Sequence, residues 1–451
     1  MSNRDRKEMQ QSKPLSLRRN FSWTFVGNVV YAASQWGMLV VLAKLGSPEM
    51  VGQFTLGLAV TAPVVMFTNL QLRQIQATDA KHQYLFGDYL GLRLICTGLA
   101  LVAIAIITIA AGYRWETSLA ILVIGLAKAF ESISDVFYGL IQNHERMDRI
   151  AISLMIKGPL SLVTLGIGVY LTGNVLGGAI GLAFTWAFIL LCFDIPNGAF
   201  ILKTYPEVKA ESGEVEKSPS QNSLLRPNFH YKTIRKLVWL ALPLGFVMML
   251  ISLNTNIPRY FIERYWGERQ LGIFSALSYL MVAGNMVVGA LAQSASPGLA
   301  KYYAAGKSKD FRSLLLKLLL IGVLLGGAAV VVAAIAGKPI LTLLYRPEYA
   351  QQVDLFIWLM VAAGLGYVAS FLGYGMTAAQ YFRIQMPLFG VVTSISALAC
   401  FWLIPTRGLQ GAAFALIIAA IVQTVFSLGV IFHAIRKLDR YGKTEEPNSI
   451  S

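Results

Sequence analysis

Residues Lys203–Lys236 read KTYPEVKAESGEVEKSPSQNSLLRPNFHYKTIRK, and this polar stretch near the middle of the chain decides how the rest must be arranged. Charge, Pro and Ser dominate it and long apolar runs are missing, the composition of a solvated linker. On either side the sequence turns hydrophobic, with six apolar segments before it and six after. Each is about 20 residues or longer, enough at about 1.5 Å per residue to cover a hydrocarbon core of about 30 Å. The pattern predicts an all-α integral membrane protein, with twelve transmembrane helices in two six-helix lobes related by pseudo-two-fold symmetry. Residues 1–19 form a basic tail in this scheme, 20–202 the N-terminal lobe, 203–236 the linker, 237–436 the C-terminal lobe and 437–451 a second tail.

Composition points the same way. Hydrophobic residues make up 56% of the chain and charged residues 14%, where a soluble domain carries about 25% charge. Such a chain cannot bury its apolar surface in one water-facing globule, so its medium is the lipid bilayer. The net charge of +15 sits mostly in short loops between apolar segments. It therefore speaks for an anionic leaflet and for topology, not for nucleic acid. Cys96, Cys192 and Cys400 all lie inside apolar segments, so no disulfide framework is implied. His82, His144, His230 and His433 are scattered at segment ends without ligand partners, and no metal site or cofactor is expected. The first apolar run follows the tail directly from Asn20, is too long for a cleaved signal, and is expected to be retained.

Orientation follows from lysine and arginine, because short loops that carry them resist translocation. One set of loops holds the N-terminal cluster up to Arg19, Arg73 with Lys81, Arg146 with Arg149, the linker's cations, Lys301 to Arg312, Arg383, and Arg436 to Lys443. The other set holds only Lys44, Arg114, Arg259, Arg264, Arg269, Lys338, Arg346 and Arg407. Both termini and the linker are therefore predicted to be cytoplasmic.

The two halves share an ordered series of marks. Tyr138-Gly139, Gln142 and Arg149-Ile150 in the first answer Tyr374-Gly375, Gln380 and Arg383-Ile384 in the second. Leu176 to Ala179 answers Leu409 to Ala413, and Gly46 with Gly52-Gln53-Phe54 answers Gly267 with Gly272-Ile273-Phe274. Two six-span copies in one orientation are a transporter architecture. Over Asn20 to Arg436 the chain resembles the polysaccharide-biosynthesis flippases of the multidrug/oligosaccharidyl-lipid/polysaccharide exporter superfamily, on the glycine openings at Gly46 to Phe54 and Gly267 to Phe274 and the Gly411-Ala412 step. The resemblance implies a V-shaped pair of lobes with a central cavity, in the bacterial cytoplasmic membrane. It implies export of a polyprenyl-pyrophosphate-linked oligosaccharide for surface polysaccharide, and leaves room for other polysaccharide-assembly proteins as partners. The peptidoglycan-precursor branch usually carries two further spans, whereas here only a short polar tail follows Arg436, which counts against that branch.

A flippase must lead a large polar headgroup past hydrocarbon, and polar stripes on spanning helices would serve. Lys128, Glu131, Asp135, Tyr138 and Gln142 are spaced to fall on one helical face. Thr24, Asn28, Tyr31 and Gln35 form a second stripe, and Ser275, Ser278, Asn285 and Gln293 roughly a third. The candidate substrate-binding residues are Lys128, Arg93, Lys157, Asn28, Gln35, Asn285 and Arg259, and the candidate ion-coupling residues are Glu131 and Asp135. Each has a plainer alternative. Lys128 and Glu131 can lock helices as a pair, and Arg93 and Lys157 can snorkel to the nearby interface. Asp194 can mark a bend before Pro196, Arg259 can belong to a solvated outer rim, and the Asn and Gln residues can be interhelical glue.

Neither a nucleotide-binding Gly-x(4)-Gly-Lys-Ser/Thr loop nor a Gly-x-Ser-x-Gly elbow occurs. An enzyme, whether glycosyltransferase or polymerase, is the weakest hypothesis; the rival to a flippase is a cation-coupled drug exporter of the same superfamily. In a background lacking Cys96, Cys192 and Cys400, a Thr406→Cys variant should label with an impermeant thiol reagent added outside intact cells. Ser212→Cys and Ser449→Cys variants should not, and strong labelling at Ser212→Cys would reverse the orientation.

Overall fold

The structure, a computed structural model, describes residues 16–79, 83–205 and 225–444. Most of the predicted linker and the ends of both predicted tails lie outside the described residues. Among the described residues every regular element is helical. In chain order these are α1 (Leu17–Leu45), α2 (Pro48–Asn69), the short α3 (Leu72–Thr78), α4 (Phe86–Ala111), α5 (Trp115–Asn143), α6 (Met147–Thr172) and α7 (Val175–Ile189). A π-helical turn, Leu190–Asp194, leads into α8 (Ile195–Thr204); then come α9 (Tyr231–Ala304), α10 (Ser308–Leu344), α11 (Pro347–Ala350), α12 (Val353–Ala378) and α13 (Phe382–Thr444).

Nine helical runs among the described residues are long and apolar enough to cross a membrane. Two of them far exceed one crossing, and each is broken at a glycine: α9 at Gly267 (φ 77°, ψ 178°) and α13 at Gly408 (φ 58°, ψ −137°). Both glycines occupy the positive-φ region that a side chain disfavours, so the helix must stop there. α5 is 29 residues long and stands outside the nine; it carries Lys128, Glu131 and Asp135.

The chain forms two compact units, Met1–Ser252 and Leu253–Ser451, and the division falls inside α9. Sequence reading starts the second lobe at residue 237, yet Leu237 and Ala241 pack into the first unit's core with Leu70, Leu72, Tyr89 and Phe137. Phe246 meets Phe67 edge to face at 5.0 Å between ring centres. Just before α9, the amide of Asn228 donates to the Gly87 carbonyl at 2.8 Å and its side chain donates to Asp88 at 2.7 Å. The chain can lie that close to α4 because Gly91 faces the Asn228 carbonyl, where any Cβ would collide. The opening turns of α9 are thus fastened to the first unit.

Small residues set helix spacing inside each unit, as expected where lipid removes most of the hydrophobic drive between helices. α1 runs along α6, and a Cβ on Gly27 would lie 2.8 Å from the Ala151 Cα. In the second unit α10, α12 and α13 pack together, with Gly326 against Gly364. There the Trp266 indole donates to the Ile404 carbonyl at 2.9 Å and the Tyr345 hydroxyl to the Ala276 carbonyl at 2.9 Å. A Gly27→Leu substitution should force α1 off α6 and lower stability by about 1–3 kcal/mol, the usual cost of overpacking. Thermal unfolding of the detergent-purified protein reads this; an unchanged midpoint would mean the contact is not close.

Candidate functional site

The charged stripe of α5 lies in the first unit, and every residue of it finds a partner on another helix or along its own. Lys128 and Glu131, one turn apart, are paired at 2.8 Å. The Tyr31 hydroxyl of α1 donates to the other Glu131 oxygen at 2.8 Å, and the Lys128 ammonium stands 4.9 Å from the Trp186 ring of α7. Indole faces attract cations, so Lys128 is held from two sides.

One turn further, Asp135 faces two guanidinium groups, Arg73 from α3 at 3.5 Å and Arg93 from α4 at 3.3 Å. Arg93 also donates to Asn69, and Arg73 to Gln142 at 3.1 Å. Both contacts to Asp135 are long beside the usual 2.7–2.9 Å or so of a charge-assisted hydrogen bond. The buried Nε of Arg93 has no hydrogen-bond partner among the described residues. One carboxylate thus serves two cations loosely.

Beyond these lies a sealed cluster. Lys157 of α6 and Asp194 at the end of the π turn are 3.6 Å apart, each only 1% exposed. Lys157 donates to the Tyr138 hydroxyl at 3.0 Å, and the Ser153 hydroxyl donates to Asp194 at 2.6 Å. The Tyr138 ring also lies 5.4 Å from the Arg73 guanidinium and 5.2 Å from the Lys157 ammonium. Tyr138 therefore joins the sealed cluster to the partly open one.

Local sequence explains the placement. Leu70 and Gln71 take positive φ, 51° and 52°, and turn the chain from α2 into α3. Gly139 on α5 lets α3 settle against it, since a Cβ there would lie 3.3 Å from the Arg73 Cα and against the Gln76 side chain. Arg73 is thereby brought beside Asp135.

The structure brings Lys128, Glu131, Asp135, Arg93 and Lys157 into one connected region of the first unit. Arg93 and Lys157 do not snorkel: each is 1% exposed and paired internally. Asp194 sits at a helical irregularity and carries an ion pair as well. Asn28 is exposed and donates to its own helix at Thr24, 2.8 Å away, while Gln35 is half-buried and its Nε2 has no partner among the described residues. Arg259 and Asn285 belong to the second unit; Arg259 donates to Asn256 at 2.8 Å, and Asn285 is exposed. Sequence reasoning missed Arg73, counted there as a loop cation, and Asn69 and Trp186.

Helices of this number, length and apolarity among the described residues define a multi-pass membrane protein. The chain belongs to the polysaccharide biosynthesis protein family, whose model matches residues 17–303. It is 30% identical to the capsular polysaccharide biosynthesis protein CapF of Staphylococcus aureus over 409 residues, 90% of this chain and 97% of that protein. Its fold is similar to that of the lipid II flippase MurJ in an inward closed conformation, with a TM-score of 0.67 at 12% identity over 94% of this chain and 93% of that one. It is also similar to an inward-facing multidrug resistance MATE transporter, with a TM-score of 0.64 at 16% identity over 92% of this chain and 99% of that one.

Because Lys157 and Asp194 are sealed together, removing one strands the other. Asp194→Ala should destabilise the protein by about 3–5 kcal/mol, the cost of an orphaned buried charge, and Lys157→Met with Asp194→Leu should recover most of it. Unfolding midpoints in detergent measure both, and a mild single variant would contradict the pairing.

Proposed function

We propose that this protein moves a polyprenyl-pyrophosphate-linked oligosaccharide from the cytoplasmic to the outer leaflet of the bacterial cytoplasmic membrane, for surface polysaccharide. The capsular relative and the family support the pathway; the charge arrangement of the first unit supports the substrate. In the connected region around the α5 stripe, four cations, Arg73, Arg93, Lys128 and Lys157, stand against three carboxylates, Glu131, Asp135 and Asp194, among the described residues. That positive excess, on groups of which Arg73 and Lys128 are 30% and 22% exposed, is the observation that carries the reading.

A pyrophosphate has enough acceptor oxygens to replace Asp135 between Arg73 and Arg93, where the existing contacts are slack. Lys128 adds a point charge with three donors. When the substrate takes these cations, Glu131 and Asp135 lose their partners and become basic sites for a coupling proton or sodium ion. No ATP is required in this scheme. Twelve crossings, with the two broken runs each taken as a pair and α5 added to the nine, and cytoplasmic termini belong to the same reading, as does a linker made by the polar stretch between α8 and α9.

An uncompensated charge deep in a membrane helix costs about 2.5–3.5 kcal/mol on insertion scales, so both cations must be matched. Lys128→Ala and Arg73→Ala should each abolish glycolipid export at unchanged protein level, Lys128→Arg should retain part, and Lys128→Ala with Glu131→Gln should not restore it. Export in proteoliposomes or surface polysaccharide in cells reads this. Recovery in the double variant would make the Lys128–Glu131 pair a purely structural lock.

A further inference from the structure

A second cationic feature lies in the other unit and takes no part in the network above. Lys309, Arg312, Ser313, Leu316, Lys317 and Leu320 line a groove of about 480 Å³ on the first third of α10. Their spacing of three and four places them in one stripe along the helix. The opposite side of α10, with Phe311, Leu315, Leu318 and Gly322, is buried in the core of the unit. The grooved side stays bare and continues as an apolar face, Leu316 at 63%, Leu320 at 59% and Leu324 at 63% exposure.

Lys317 is the informative residue. It interrupts an otherwise unbroken leucine run from Leu314 to Leu320, so its ammonium rises from within an apolar band. Side chains on a helix lean toward its N-terminus, which carries this ammonium back about one turn, to the level of Ser313 and Arg312. Arg312 is already engaged by Asp439 of α13. With that carboxylate and Asp310, the exposed acid beside Lys309 in the first turn of α10, both counted, the three cations still leave a net positive charge above a leucine floor.

We propose that this groove binds an anionic phospholipid, its phosphate held among Lys309, Arg312 and Lys317 with the Ser313 hydroxyl, and an acyl chain lying on Leu316, Leu320 and Leu324. A soluble anion would meet the charge and leave the leucines bare. A zwitterionic lipid would cover the leucines and bring its own cation against three others. An anionic lipid alone satisfies both halves.

The test is native mass spectrometry of the full-length protein purified in mild detergent and offered phosphatidylglycerol or phosphatidylcholine in equal amounts. Phosphatidylglycerol should be retained over phosphatidylcholine. The triple variant Lys309→Gln, Arg312→Gln, Lys317→Gln should weaken its retention roughly tenfold or more. Removing the same charge elsewhere, by Lys301→Gln, Arg383→Gln and Lys437→Gln, should leave retention at the wild-type level. Leu316→Trp with Leu320→Trp keeps every charge and fills the groove, and it should also lose the lipid, which keeps the proposal testable if the triple variant folds poorly. Equal retention of the two lipids, equal loss in the triple and control variants, displacement of the lipid by millimolar inorganic phosphate, or a second protein copy on this face would each overturn it.

Discussion

One carboxylate, Asp135, holds two guanidinium groups in the interior of the first unit, and much of that unit's arrangement depends on it. Arg93 is 1% exposed, so it cannot be solvated, and a charge of that kind persists in a low-dielectric interior only with a partner. The partner in turn fixes α3, which brings Arg73, and α4, which brings Arg93, against α5. Gly139 lets α3 come that near, and the turn at Leu70 and Gln71 aims it. Packing and electrostatics here are one constraint seen twice.

Tyr138 extends that constraint inward. Its ring stands beside Arg73 on one side and Lys157 on the other, while its hydroxyl belongs to the Ser153–Asp194–Lys157 cluster. A shift of α3 that moved Arg73 would change the field at a ring whose hydroxyl touches the sealed pair. The π turn ending at Asp194 places that acid toward α6, since the extra residue in the turn rotates the helix beyond it. Local irregularity and buried charge therefore occur at one residue because each makes the other tenable.

Much of this was legible in the sequence, and the limits are physical. The α5 stripe could be read because a helix repeats every 3.6 residues, so spacing alone puts Lys128, Glu131, Asp135 and Tyr138 on one side. Their partners could not, because Arg73, Arg93, Lys157 and Asp194 come from other helices and spacing says nothing across helices. Arg73 was hidden further by a turn made with Leu70 and Gln71, residues that carry no glycine or proline signal for it. The all-helical class was plain from hydropathy. The allegiance of residues 231–252 to the first unit was not, since an apolar helix looks alike whichever core it enters. What settles it is the close passage of Asn228 over Gly87 and Gly91, a contact across more than a hundred residues.

Basic residues in a membrane protein are usually counted together when orientation is inferred, and the structure separates them by where their counter-charge lies. Arg73 and Arg312 weigh the same in such a count. Arg73 nevertheless looks inward to Asp135 and Gln142 from beneath a turn of chain, and its charge is answered by protein. Arg312 shares an exposed carboxylate, Asp439, and stands in a stripe with Lys309 and Lys317 that has no further acid among its lining residues. A cation of the first kind is available only to a ligand that can outcompete an internal acid, which favours a dense anion such as a pyrophosphate over a single carboxylate. A cation of the second kind is exposed, and the leucines beside it favour a counter-ion that brings hydrocarbon with it. Position relative to acid and to leucine, more than the number of cations, thus assigns the two groups different partners.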